Sequence, residues 1–380
     1  MNQMKLGDVA DAAGLHRLHI LAWRDLEDVE AGGSEVHAAE IATRWAAAGI
    51  DVVMRTSHAQ NRPDVVERSG YRVVRRRGRH LVFLDAPLQE ITGRYGRRDG
   101  LLEVWNGLPF FAPLWARGPR ATFVHHVHAD VWRDVLSPGL ARLGETLELR
   151  VAPRLYQRTT ILTPSPSSRA QIIRRLGLPA DRVTAVPNGI HDRFSPAGPR
   201  SPNPLVLCVG RLVPHKRVDV AIRAAARARE MVPDLELVIV GEGYERPALE
   251  HLIHDLGAEG WVRMTGRASD DELVDLYRRG WVVTSASSDE GWGMTITEAA
   301  ACGTPAVVTR IAGHVDVVGD GESGVLVDSP AELTSALVGV LTDHGLRTRL
   351  GAAALARAGD LTWDRTALGV LRGVAGRPQR

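Results

Sequence analysis

Lysine is nearly absent from this chain. Of its 47 Lys and Arg residues only Lys5 and Lys216 are lysine, so arginine occupies almost every basic position. Cysteine is as scarce: Cys208 and Cys302 are the two in 380 residues, and they stand far apart. That spacing excludes a zinc-ribbon set and a disulfide scaffold, and predicts reduced thiols in a cytoplasmic protein. No stretch reaches the roughly 18 apolar residues of a membrane-spanning helix, and the opening MNQMKLGDVADAAGLHR carries no apolar signal segment. A net charge of +2 is too small to mark nucleic-acid binding. The dinucleotide fingerprint, a G-x-G-x-x-G turn followed by an acid after the second strand, is missing, which disfavours an oxidoreductase. No Asp-x-Asp pair or His/Cys cluster is placed to hold a cation against a diphosphate, so neither a metal nor a resident cofactor is expected.

What is present is an ordinary folded composition, 44% hydrophobic and 24% charged, on a length that suggests two domains. Strand-like runs alternate with helical segments, the pattern of α/β layers around parallel sheets. LHILAW, IDVVMRTS, LLEVWNG, ATFVHHVH and RTTILTPS read as strands of a first half, with a helix from Ser34 as its cap to Gly49. VPNGIHDRFSPAGPRSPNP, residues 186–204, is rich in Pro, Gly, Asn and Ser and reads as the linker region. The alternation then restarts at LVLCVGRL and runs through LELVIVGEG, VRMTGR, WVVTSAS and PAVVT. Expected boundaries are a first domain at 1–190, a linker at 191–203, a second domain at 204–355 and a terminal helix at 356–380. Ligands are expected in the crevice at the carboxyl ends of the strands.

Four clusters carry chemistry. VGRLVPHKR places Arg211 and Lys216 where a strand gives way to a helix, so a phosphate would meet both charges and free backbone amides. The persistence of lysine at 216 suggests a site that needs a compact point charge rather than a planar fork. AGGSE, with Gly33, is a second glycine turn before a helix, weak as a phosphate signal by itself. VHHVHAD sets His126 and His128 on one face of a strand and His125 on the other; hydrogen-bonded core histidines are the plain alternative, and zinc lacks further ligands. SSDEGWGMTITEAAACGTP holds Glu290 before a glycine-flanked tryptophan and Glu298 eight positions on. Such acids can offset a helix dipole, or can accept hydrogen bonds from sugar hydroxyls. Residues 62–98 add ten arginines against four acids. They suggest a solvated face, or else a surface for an anionic acceptor or the inner face of a membrane.

Taken together, AGGSEVH, VHHVHADVW, TPSPSSR, VPNGI, VGRLVPHKR, IVGEG, EGWGMTITEAAACGTPAVVT and GESGVLV resemble the retaining glycosyltransferases of family four. The resemblance runs over nearly the whole chain. It implies the glycosyltransferase B fold: two Rossmann-like doubly wound α/β domains facing a cleft, with a C-terminal helix crossing back to the first. It implies transfer of a sugar, with retention and without metal, from a UDP- or GDP-sugar to a hydroxyl acceptor, anionic and lipid-linked acceptors included. Arg211, Lys216 and Gly33 match the donor-diphosphate site, and Glu290 with Gly291, Trp292, Gly293, Met294 and Thr295 matches the donor-sugar site, Glu290 also counting with His126 and His128 as catalytic. Glu298 matches the ribose ligand. A functional histidine is implied at the end of the N-terminal strand, with His126 favoured and His128 second. A non-catalytic nucleotide-sugar-binding protein and a related-fold epimerase or phosphorylase are the rivals.

Overall fold

The strand runs pair into two separate sheets in the computed structural model, which describes residues 5–128, 132 and 137–376. One compact unit comprises Met1–Gly189 with Trp363–Arg380, and the other Ile190–Thr362. Residues 191–203 lie in the second unit, held by bonds such as Arg200 to the Gly280 carbonyl at 2.6 Å and Trp281 Nε1 to the Ser201 carbonyl at 2.8 Å.

The first unit carries β1 (Arg17–Leu21), β2 (Asp51–Thr56), β3 (Val65–Arg68), β4 (Tyr71–Arg75), β5 (Gly100–Trp105), β6 (Arg120–Val124), β7 (Thr160–Thr163) and β8 (Val183–Ala185). Their order is β3-β4-β2-β1-β5-β6-β7-β8, parallel throughout except for the β3–β4 hairpin at one edge. Every residue of β5 is buried, as expected where helices cover both faces of a parallel sheet. The helix Gly33–Ala47 crosses from β1 to β2 and buries Ala38, Ala39, Ile41, Ala42 and Trp45. Gly32, not Ser34, is its N-cap. The terminal helix Trp363–Val374 packs on this crossover helix, with Trp45 Nε1 donating to the Ala367 carbonyl at 3.0 Å. Glycine is required along its contact: a Cβ at Gly373 would sit 2.7 Å from Leu162, and one at Gly369 2.8 Å from Val186.

The second unit carries β9 (Leu205–Val209), β10 (Glu236–Val240), β11 (Val262–Gly266), β12 (Val282–Ser285), β13 (Ala306–Thr309) and β14 (Gly324–Val327). These run parallel in the order β11-β10-β9-β12-β13-β14. Each sheet thus reverses its winding once, between β1 and β5 and between β9 and β12. Loops diverge at such a point and leave an opening at the carboxyl ends of the strands.

Most of the arginine-rich run is ion-paired rather than free at the surface. Arg75 is fully buried, 2.7 Å from Asp25 and also paired with Glu27. Arg68 reaches the same two acids, Arg62 pairs with Glu27, and Arg79 pairs with Asp28 and Glu30. Arg76 and Arg77 share Asp85, Arg72 takes Glu67 and Arg98 takes Glu90. The acids come largely from RDLEDVE, the loop after β1. Most of the run is therefore ion-paired, with Arg62, Arg72 and Arg77 still exposed, and Arg75 alone is fully buried and belongs neither to a solvated face nor to a docking surface.

Removing a buried cation leaves its carboxylates uncompensated. Arg75→Ala is expected to cost about 3–5 kcal/mol in denaturant unfolding, whereas Arg72→Ala, at an exposed pair, should cost about 1 kcal/mol or less. Equal, small losses would show that the network contributes little.

Candidate active site

The second unit gathers its polar residues at the carboxyl ends of β10, β9, β12 and β13. After β9 the chain passes Gly210 and Arg211, makes a single turn at Pro214–Lys216, and enters the helix Val218–Arg229. Glycine is needed opposite: a Cβ at Gly241 would lie 1.8 Å from the Gly210 carbonyl oxygen, and one at Gly243 2.1 Å from that of Leu212. The IVGEG and VGRL segments can touch backbone to backbone only without side chains there. Lys216 Nζ forms an ion pair with Glu290 Oε1, and Ser287 Oγ donates to the same oxygen at 3.0 Å. Ser288 N donates to the His215 carbonyl at 2.8 Å, a second tie between the two loops. Arg211 is exposed and has no ion pair among the described residues. Gly210, Arg211, Lys216, Ser285 and Ser287 line one recess.

The two glutamates are tuned in opposite directions. Burial opposes the ionisation of Glu290, but Lys216, His314 and the hydrogen bonds from Lys216 and Ser287 outweigh it and hold the carboxyl at about 2. Glu298, in the second turn of the helix Met294–Ala301, is pushed up to about 7 by burial. Its hydrogen bond from the Tyr277 hydroxyl, at 3.1 Å, and Arg193 offset part of that rise. Gly293 caps this helix at φ 115°, a conformation side chains rarely adopt. The helix opens at Met294 and Thr295, whose amides precede the first intrahelical hydrogen bond and can meet an anion. Trp292 is buried and Gly291 half-buried.

In the first unit, β6 stops at Val124, so the histidines lie on the loop beyond the strand rather than on it. Their alternation persists. His126 and His128 stack at 3.9 Å between ring centroids, both half-buried, while His125 turns inward against His37 and Phe123. Burial, with His37 and His126 nearby, drives His125 well below the usual histidine range. The Asp130 end of the VHHVHAD motif lies outside the described residues. Gly33 opens the helix after β1, and Ser34 Oγ accepts from Asn106 Nδ2, just past β5, at 3.3 Å. The glycine turn and the histidine loop thus sit at the carboxyl ends of β1, β5 and β6, on one side of the sheet.

Several contributors were not read from the sequence. Glu148 is buried on a five-residue π-helical turn, Leu147–Val151, and accepts from the His128 backbone N at 2.7 Å and from Trp132 Nε1 at 2.8 Å. It fixes the histidine loop, and π turns recur at functional sites. Gly313 lets the loop after β13 pass close to residues 290–292, since its Cβ would fall 2.7 Å from the Glu290 carbonyl oxygen. His314 behind it is buried and bonded through Nδ1 to the Thr309 carbonyl at 2.8 Å. A glutamate amid an amphipathic helix was the available sign for Glu148; for Gly313 and His314 only the contact itself is informative.

Two largely parallel sheets, each with a glycine-rich turn and polar loops at a winding reversal, define a doubly wound class of α/β protein. The profile described as Glycosyltransferase Family 4 matches residues 31–194, and that described as Glycosyl transferases group 1 matches residues 192–357. A D-inositol 3-phosphate glycosyltransferase of Acidothermus cellulolyticus is 32% identical over 388 residues, covering 90% of this chain and 85% of that one. The namesake of Thermobifida fusca is 36% identical over 222 residues, 56% of this chain but only 46% of its own length. Among solved structures, sucrose-phosphate synthase from Thermosynechococcus elongatus superposes with a TM-score of 0.80 at 21% identity, over 93% of this chain and 97% of that one. The chain belongs to glycosyltransferase family four, and its fold is glycosyltransferase B.

The raised Glu298 carboxyl makes a pH signature. A carboxyl ordinarily at 4.5 and here at about 7 gives stability that is complete below about 4.5 and lost as pH rises through about 7. Glu298→Gln, which keeps the acceptor for Tyr277 and cannot ionise, should match the parent near pH 4.5 and exceed it at about pH 8 by on the order of 2–3 kcal/mol. Thermal melts of the ligand-free pair across this range test it; a constant gap would contradict the assignment.

Proposed function

We propose that this glycosyltransferase moves a hexosyl group, with retention, from a UDP- or GDP-sugar to a hydroxyl acceptor, using no metal ion. The observation that carries the reading is the coupling of Lys216 to Glu290 beside Arg211, which has no ion pair among the described residues, at the winding reversal of the second sheet. One ammonium hydrogen goes to Glu290, and the others remain for a diphosphate oxygen. Arg211 supplies the second cation and the amides of the helix at Met294 a dipole of the same sign. As the bond from the anomeric carbon to the diphosphate oxygen breaks, its electron pair goes to the diphosphate, and these fixed charges stabilise it. The acceptor oxygen attacks the same face, and its proton passes to the departing phosphate oxygen.

Glu290, whose carboxylate is held ionised in the ligand-free chain, is assigned to accepting hydrogen bonds from sugar hydroxyls. Glu298, beside the Tyr277 hydroxyl, is assigned to the ribose. His126 and His128 are assigned to the acceptor side, with Gly33 offering an amide to the distal phosphate. The relatives named for D-inositol 3-phosphate make a phosphorylated polyol the first acceptor to test.

Lys216→Ala and Arg211→Ala are each expected to lower turnover by ~10²-fold or more, since each removes charge stabilisation of the leaving group. Release of nucleotide from a UDP- and GDP-sugar panel, with and without acceptors, measures this, and near-normal turnover in both variants would refute the roles. NMR of the product anomer tests retention, and activity should persist in EDTA.

The two glutamates should separate in calorimetry with free nucleoside diphosphate, which has a ribose but no sugar. Glu298→Ala should lose about 1.5–3 kcal/mol of affinity. Glu290→Gln should lose none, and should gain several-fold because Lys216 is unmasked, while weakening the intact donor. Equal losses for both would mean that the carboxylates only brace the helix.

A further inference from the structure

We propose that the outward face of the helix Val82–Ile91 is a docking surface for an anionic lipid bilayer. This helix is turned inside out relative to an ordinary surface helix. Leu81, Leu84, Leu88 and Ile91, spaced to fall on one stripe, are 57%, 73%, 56% and 62% exposed. Its two acids point the other way. Asp85 is buried among Arg55, Arg76 and Arg77, at 3.7, 3.8 and 3.2 Å, and Glu90 is buried against His19 Nδ1 at 2.9 Å and Arg98 at 3.5 Å. Val82 and Ala86 complete the inward face. With both carboxylates fixed by partners on β1, β2 and the loops nearby, the helix cannot roll its leucines inward. The short helix Ala112–Trp115, which packs against it, adds a further exposed apolar side chain, Leu114, at 66%.

The rim of this stripe is cationic. Residues 76–98 contain six arginines and two acids, and both acids are the buried ones just described. Arg94 and Arg97, just beyond the C-terminal end of the helix, are exposed and have no ion pair among the described residues. Arg77 is exposed as well. An apolar stripe about 15 Å long with arginines at its edge matches the interface of an anionic leaflet, where leucines enter the acyl boundary and guanidinium groups meet phosphates. The contact would be superficial, since no helix among the described residues is long and apolar enough to cross a membrane. A second copy of the chain fits less well, because a two-fold contact would place like-charged rims against each other.

Sedimentation of the full chain with vesicles tests this without donor or acceptor, so its outcome is independent of the transfer reaction. Vesicles of equimolar phosphatidylcholine and phosphatidylglycerol should retain the protein, and phosphatidylcholine alone should retain little. Leu84→Glu with Leu88→Glu should cut retention about tenfold or more. Leu84→Ser with Leu88→Ser, a milder pair, should cut it several-fold. Arg94→Ser with Arg97→Ser should weaken it in low salt, with the difference shrinking as salt rises. Circular dichroism and melting temperature should stay at parental values in all three. Failure of the parent protein to sediment with anionic vesicles would overturn the proposal, as would undiminished retention of the glutamate variant. A concentration-dependent dimer that those glutamates dissociate, in a protein that ignores vesicles, would overturn it in favour of self-association.

Discussion

The ion pair between Lys216 and Glu290 joins two loops whose residues stand 74 positions apart in the chain. One loop leaves β9 and the other β12, the adjacent strands between which the sheet reverses its winding. The Ser287 hydroxyl and the backbone bond from Ser288 to His215 reinforce the tie. Glycines at 241, 243 and 313 let the surrounding backbone close around it. A lysine in a chain that uses arginine at almost every other basic position fits here. Its ammonium is compact, approaches one carboxylate oxygen end-on, and keeps donors for a further partner, where a guanidinium fork would span both oxygens.

Arginine does the opposite work in the first unit. Arg75 lies between Asp25 and Glu27 with no exposed surface, and its planar fork suits several acceptors at once. Along the sequence, arginines and acids of this network are about 50 residues apart, since Asp25 meets Arg75. A linear count of charge therefore overstates how cationic the surface is. Only after these internal pairs are removed does the real cationic patch emerge, at Arg94 and Arg97 rather than at the densest part of the run.

Much of the fold was legible because β9, β10 and β13 are nearly continuous apolar runs, closed by glycine or polar turns. The β3–β4 hairpin was not, because its arginines break the hydropathy pattern, and of them only Arg75 is fully buried by ion pairing. β6 ends at Val124, short of the ATFVHHVH run, since histidines on a loop alternate faces just as they would on a strand. The site was legible where a motif is local: Arg211 to Lys216, and Glu290 to Glu298. Gly313 and Tyr277 act through contacts remote in sequence, and nothing in their immediate neighbours marks them.

The contrast between Glu290 and Glu298 follows from what each faces. Both are withdrawn from water, which alone would raise both carboxyls. Glu290 has an ammonium against one oxygen and a hydroxyl donor on the same atom, and the charge wins over burial. Glu298 has only the Tyr277 phenol, itself pushed well above its usual range by burial and by this same carboxylate, with Arg193 as a weaker influence. A neutral donor cannot repay the loss of solvation, so the carboxyl near neutrality shares its proton with water. A ligand hydroxyl that donates to Glu298 adds the missing partner and favours the charged form. Binding there should accordingly release a proton, whereas binding at Glu290, already ionised far below neutrality, should release none.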